Sequence, residues 1–169
     1  MDSAPHRRVL VTVGSTGFDQ LVNTVLQHSF HALLLSLGYT HLIVQHGSSN
    51  FPAEALTGSS DLRINAFSYK PSLLEDMQSV DLIISHAGSG SILEALRLEK
   101  PLIVVINETL MNNHQQELGD ALQEQGYLVS CTPTTLFDAI QSNKYRTLKR
   151  FPAADPAIFA SYLDSKLFV

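Results

Sequence analysis

The sequence predicts a doubly wound α/β domain, a parallel sheet covered by helices on both faces. Three observations predict it. Short β-branched apolar runs alternate with segments of helical periodicity along the 169 residues, and that alternation implies right-handed βαβ crossovers. The runs are apolar throughout, as strands buried on both faces are. Two of them empty straight into glycine- and serine-rich turns that open helices, at Gly14 to Gly17 and at Gly88 to Ser91.

Arg8 to Val13 is the first strand, ending at Gly14. Phe18 to Leu37 carries apolar residues at helical spacing, with Gly38 where a C-cap belongs, and is expected to form one helix. His41 to Gln45 is the second strand, followed by a polar loop at Gly47 to Asn50; Leu62 to Phe67 is the third strand. Pro71 to Val80 reads as a short helix with its proline near the first turn. Asp81 to Ser85 is a strand, Ser91 to Glu99 a helix and Pro101 to Ile106 another buried strand. Asn112 to Gly126 is helical, Tyr127 to Ser130 a final strand, and Thr134 to Ser142 and Asp155 to Phe168 closing helices. Asn143 to Pro156 is the most loop-like stretch, residues 1–7 read as a flexible leader, and nothing resembles a linker between domains. One domain spans 1–169.

Composition narrows the function. A net charge of −5 argues against a general nucleic-acid binder, which would be basic. It leaves room for a local anion site built from backbone amides. The single cysteine, Cys131, excludes an internal disulfide and reads as a buried structural thiol. No apolar run is long enough to span a bilayer and the first residues are no signal peptide, so the chain reads as soluble and cytosolic.

Ligands of open parallel sheets bind beyond the carboxyl ends of the strands, where strand order reverses. Gly14, Ser15 and Thr16 form one turn of the right kind; Gly88, Ser89, Gly90 and Ser91 form a second. Glycines let a backbone approach a ligand, and amides at a helix start bind anionic oxygens. Each turn alone fits a simple chain reversal; the two together favour a phosphorylated ligand. Glu94, three residues after Ser91, suits a ribose hydroxyl pair, but Ser91-Ile92-Leu93-Glu94 equally fits a capping box. His86 stands at the mouth of the second turn, either donating to a phosphate or packing as a neutral ring. A third cluster, Asn107 to Glu117, is rich in amides that suit sugar hydroxyls. Seven histidines raise a metal site, but His28 and His31 lack a third ligand.

Taken together, Val11 to Thr16, Asp81 to Ser91 with Glu94, and Pro101 to Asn107 through Met111-Asn112-Asn113-His114-Gln115 resemble one family. It comprises the cytosolic donor-binding subunits of the two-component UDP-GlcNAc transferases of dolichol-linked oligosaccharide synthesis. More distantly, the chain is similar to the C-terminal half of bacterial peptidoglycan GlcNAc transferases, GT-B enzymes of glycosyltransferase family 28. The resemblance implies a Rossmann-like sheet equivalent to that C-terminal half. It implies donor phosphates on Ser89 to Ser91, ribose on Glu94, GlcNAc on Asn112, Asn113, Gln115 and Gln116, and uracil near the backbone of Phe67. Ser15 and Thr16 would face the diphosphate from the other side.

The resemblance further implies addition of the second GlcNAc to GlcNAc-diphosphodolichol at the cytosolic face of the endoplasmic reticulum. UDP-GlcNAc is the donor, and no cofactor or metal is implied. A membrane-anchored acceptor-binding subunit would supply the lipid and the catalytic base, and residues 155–169 either dock it or pack on their own sheet. Two other readings stay open: a stand-alone UDP-sugar-binding or regulatory module, and a phosphate-binding hydrolase.

Overall fold

The computed structural model describes residues 6–57, 61–109 and 113–153. Its six strands are β1 (Arg7–Thr12), β2 (Tyr39–Gln45), β3 (Arg63–Phe67), β4 (Leu82–His86), β5 (Leu102–Val105) and β6 (Val129–Cys131). They form one sheet in the order β3-β2-β1-β4-β5-β6, parallel throughout. The helices are α1 (Asp19–Val25), α2 (His28–Ser36), α3 (Leu74–Gln78), α4 (Ser89–Arg97), α5 (Asn113–Glu124) and α6 (Leu136–Gln141).

Strand pleating sorts the core into two layers. Val9 and Val11 of β1 pack with Leu21, Val25, Phe30 and Ile140 under α1, α2 and α6. Leu10 points the other way, to Met77, Ile92, Leu96 and Leu122 of α3, α4 and α5. Val9, Leu10 and Val11 are fully buried, each contributing about 1.5–3 kcal/mol. The central strand is thereby fixed, and with it the loop that leaves its carboxyl end.

Several expectations are corrected. The single helix over Phe18 to Leu37 is two, because Gln27 adopts extended backbone (φ −67°, ψ 138°) between α1 and α2. The break frees the Val25 carbonyl, and the buried ring of His31 bonds it through Nε2 at 3.0 Å. The helix expected over Pro71 to Val80 is shorter, α3 running from Leu74 to Gln78 with Leu73 as N-cap and Pro71 just ahead of it. α4 begins at Ser89 with Gly88 as N-cap, two residues before the expected start. The loop expected over Asn143 to Pro156 holds a 3-10 turn, Lys144–Thr147, that buries Tyr145. Arg7, expected in the flexible stretch 1–7, is the first residue of β1, and residues 1–5 lie outside the described residues. The closing helix expected over Asp155 to Phe168 lies outside the described residues.

At the sheet's outer edge Ser130 directs its N–H away from β5, where the Gln123 side chain accepts it at 2.6 Å. Cys131 is buried beside it, and burial pushes its thiol up to about 12.

Candidate ligand-binding site

Strand order reverses between β1 and β4: β1 is followed in sequence by β2 on one side, β4 by β5 on the other. The loops leaving β1 and β4 therefore diverge and open a crevice between them. Both glycine turns sit there, and the side chain of His86 lies between them. A Cβ built on Gly14 would come within 2.7 Å of His86 Nε2, and one on Gly88 would meet the same ring. Gly14 also has φ +76°, a backbone region side chains avoid. The imidazole thus sets the identity of both glycines. Burial lowers its pKa from 6.5, opposed by a smaller effect of the Thr12 carbonyl, so the ring is neutral at pH 7. Its Nδ1 is buried without a hydrogen-bond partner among the described residues.

The first turn is held by a residue that sequence reasoning missed. Gln45, 2% exposed at the end of β2, accepts three bonds at Oε1: from Thr12 Oγ1 at 2.6 Å, Val13 N at 3.2 Å and Gly14 N at 3.1 Å. Its Nε2 donates to Gly14 O at 2.8 Å and to Ser68 O at 2.7 Å. One amide therefore ties the mouth of β1 to the loops after β2 and β3. Ser49 adds a second tie, accepting the Phe18 N–H at 2.6 Å, and Ser48 bonds the Thr16 carbonyl. Ser15 and Thr16 are left exposed at the crevice mouth. The one available signal was a polar residue closing an apolar strand just ahead of a glycine loop.

The second turn is a helix start. The first backbone bond of α4 runs from Ile92 N to Gly88 O at 3.0 Å. Helical geometry then leaves the N–H groups of Ser89, Gly90 and Ser91 as free donors at the positive end of the helix dipole. Gly88 as N-cap also removes the capping-box reading of Ser91 and Glu94, and α4 has no side-chain cap. Glu94 stands in the second turn, half-buried, on the same helix face as Gly90 and Leu93. Together with Leu74 and Arg97 these line an open groove of about 500 Å³. Gly90 has nothing within 4 Å of a Cβ position. Gly90 is the second residue of α4, in its first turn, and nothing in this chain's packing requires a glycine there; close approach by a bound molecule would.

The amide cluster is brought to the same rim, because β5 neighbours β4. Asn113 begins α5, and Gln115 is half-buried in its first turn. Gln116 lines a cleft of about 180 Å³ with Glu108, Asp120 and Thr132. Asn112 lies outside the described residues. Phe67 is less well placed: it ends β3, two strands from β1. Its carbonyl already accepts the His46 N–H at 3.0 Å, and the Lys70 ammonium covers its ring at 4.1 Å. Among the described residues no three His, Cys, Asp or Glu side chains converge as a metal site would need, and no helix is long and apolar enough to cross a membrane.

Residues 8–163 match the glycosyltransferase family 28 C-terminal domain. The UDP-N-acetylglucosamine transferase subunit ALG13 of Saccharomyces cerevisiae is 33% identical, aligned over 96% of this chain and 97% of its own. The chain belongs to glycosyltransferase family 28, with the ALG13 subunits. The mouse protein of the same name is 48% identical over 126 residues, which cover 75% of this chain but only 11% of the mouse protein. This family 28 domain superposes on the solution structure of ALG13 with a TM-score of 0.69, at 29% identity over 97% of this chain and 98% of that one. MurG of Acinetobacter baumannii shares the fold, with a TM-score of 0.64 at 18% identity over 88% of this chain and 43% of MurG.

Proposed function

We propose that this chain is the donor half of a UDP-GlcNAc transferase, binding UDP-GlcNAc at the β1/β4 crevice while a partner subunit brings the acceptor. The observation that carries the reading is the meeting of two glycine turns at the strand-order reversal, beside the free amides of α4. Those amides suit the donor diphosphate, Glu94 the ribose, and Asn113, Gln115 and Gln116 the GlcNAc. The open flank of Gly90 gives the nucleotide its close approach. The finer reaction is addition of a second GlcNAc, β1-4, to GlcNAc-diphosphodolichol at the cytosolic face of the endoplasmic reticulum. The partner in this reading is a membrane-anchored, acceptor-binding subunit.

In this reaction the acceptor 4-hydroxyl oxygen bonds to C1 of GlcNAc with inversion as the C1–O bond to UDP breaks. The electron pair leaves on the β-phosphate oxygen, where the Ser89 to Ser91 amides and the helix dipole stabilise it. The proton passes to a base on the partner. Ser15 and Thr16 face the sugar diphosphate from across the crevice. No step calls for a metal, and chelation by EDTA should leave turnover unchanged.

Calorimetry with UDP and UDP-GlcNAc tests the donor site: the chain should bind both, and Glu94→Ala should weaken both about tenfold or more. Equal binding by Glu94→Ala would remove the ribose role, and silence at millimolar ligand would remove the donor site. Co-expression with the presumed membrane subunit and assay of disaccharide-lipid tests transfer. Donor binding without transfer in that complex would leave a UDP-sugar-binding module.

A further inference from the structure

The end of the sheet opposite the crevice carries a second feature that the donor reading does not use. A cleft of about 230 Å³ opens beneath the amino ends of β5 and β6, lined by Lys100, Arg146, Lys149, Arg150, Tyr127 and the carboxylate of Glu99, among others. Four cations against one carboxylate give it a local charge of +3 in a chain whose net charge is −5. Arg7, Arg8 and Arg63 start β1 and β3 at the same end of the sheet, where the Asp81 carboxylate accepts the Arg8 N–H at 2.8 Å.

The cations are positioned but not consumed. Lys100 spends two of its three donors on the carbonyls of Gln78 and Val80, both at 2.8 Å, which anchors the ammonium. Arg146 reaches Leu37 O and Tyr145 Oη only at 3.4 Å. Lys149 is fixed by its own N–H to Gly126 O at 2.9 Å and by its stem, which lies 3.5 Å from a Cβ position on Gly126. Its ammonium has no partner among the described residues. Arg150 meets Glu99 at 3.4 Å through one nitrogen, leaving most of the guanidinium fork open.

Glu99 itself is the second observation. It occupies the residue after the α4 C-cap, bonding back from its own N–H to Leu96 O, with Lys100 N to Ala95 O. That backbone pattern normally takes glycine, because it requires a left-handed conformation; Glu99 adopts it at φ 53°. The strained residue puts the cleft's one carboxylate against Arg150. Strain retained at a non-glycine position points to a role for the side chain, and here the carboxylate sits where an anion would.

We infer that this cleft is a phosphate-binding site, in which a phosphate group displaces Glu99 from Arg150 and is held by Lys149, Arg150, Arg146 and the remaining Lys100 donor. The phosphate could be that of a soluble ester or of a lipid headgroup, and the two are separable. Inorganic phosphate added to the 15N-labelled full chain should shift the amides of residues 99–100, 126–127 and 146–151. The double variant Lys149→Glu, Arg150→Glu should weaken that response about tenfold or more, while UDP binding at the opposite end stays unchanged. Glu99→Gly should relieve the strain, raise Tm and tighten phosphate severalfold. Co-sedimentation with phosphatidylcholine vesicles containing phosphatidic acid, lost in the double variant, assigns the site to a lipid headgroup; phosphate binding without vesicle binding assigns it to a soluble ester. Shifts confined to residues 14–17 and 88–91, or an unaltered response in the double variant, would overturn the inference. So would a Glu99→Gly protein that gains stability without gaining phosphate affinity.

Discussion

Replacing Gln45 by Glu changes one NH2 to an oxygen and leaves the side chain's shape intact, which makes it the sharpest probe of the first glycine turn. The three bonds to Oε1 survive. The two from Nε2, to Gly14 O and Ser68 O, do not. In their place a buried carboxylate faces two carbonyl oxygens at distances set by bonds of 2.8 and 2.7 Å. Each abandoned carbonyl costs about 1–3 kcal/mol, and the ionised group adds a desolvation penalty it escapes only by taking a proton. The expected loss is about 3–5 kcal/mol near pH 7.

The pH dependence identifies the cause. In the folded Gln45→Glu variant the introduced carboxyl would have its pKa raised, so the deficit is full near neutrality and shrinks as pH falls and the protonated acid regains one donor. Urea unfolding of wild type and variant at about pH 7 and about pH 5 measures both. UDP-GlcNAc titration should show weaker binding, since the Gly14 turn loses its anchor without losing any residue that touches ligand. A deficit below about 1 kcal/mol, or one that does not change with pH, would refute the reasoning.

Three further outcomes are expected. Gly90→Ala, in the first turn of α4 with no clash at its Cβ, should leave the fold at least as stable and still weaken donor binding; thermal unfolding and calorimetry on one protein check both halves. His31, His41 and His86 all have pKa values lowered from 6.5 chiefly by burial. The unfolded chain therefore takes up protons first, and urea midpoints should hold above that value and fall from about pH 6.5 downward, less steeply in His31→Gln. Cys131, buried with its thiol near 12, should resist a thiol reagent at mildly alkaline pH and react only on unfolding.

The sheet was legible because β-branched runs such as Arg8 to Val13 and Asp81 to Ser85 have no other stable use than a doubly covered strand. The crevice was legible for a related reason: glycine turns directly after strands mark the carboxyl ends, and the family resemblance tied them to one site. The break between α1 and α2 was not, since apolar residues continue across it and no proline or glycine announces it. Its trace is a phase jump, from Val25 to Phe30, that helical counting passes over. Gln45 was equally hidden, because a single amide signals nothing until its five bonds, four of them to residues more than thirty positions away in sequence, are in place. Glu94 shows the opposite limit, where a sequence pattern offered two roles and the helix start two residues earlier removed one.

The bond from Ser130 to Gln123 has a consequence for how copies of this chain meet. An edge strand with a bare N–H invites the backbone of another molecule and, through repetition, a growing ribbon. Here the vacant valence is closed from within by a side chain of the preceding helix, at the cost of fixing one glutamine rotamer. A second domain brought against this edge finds that N–H already taken. At high local concentration, neighbours are then left to meet through loops and clefts in place of this donor.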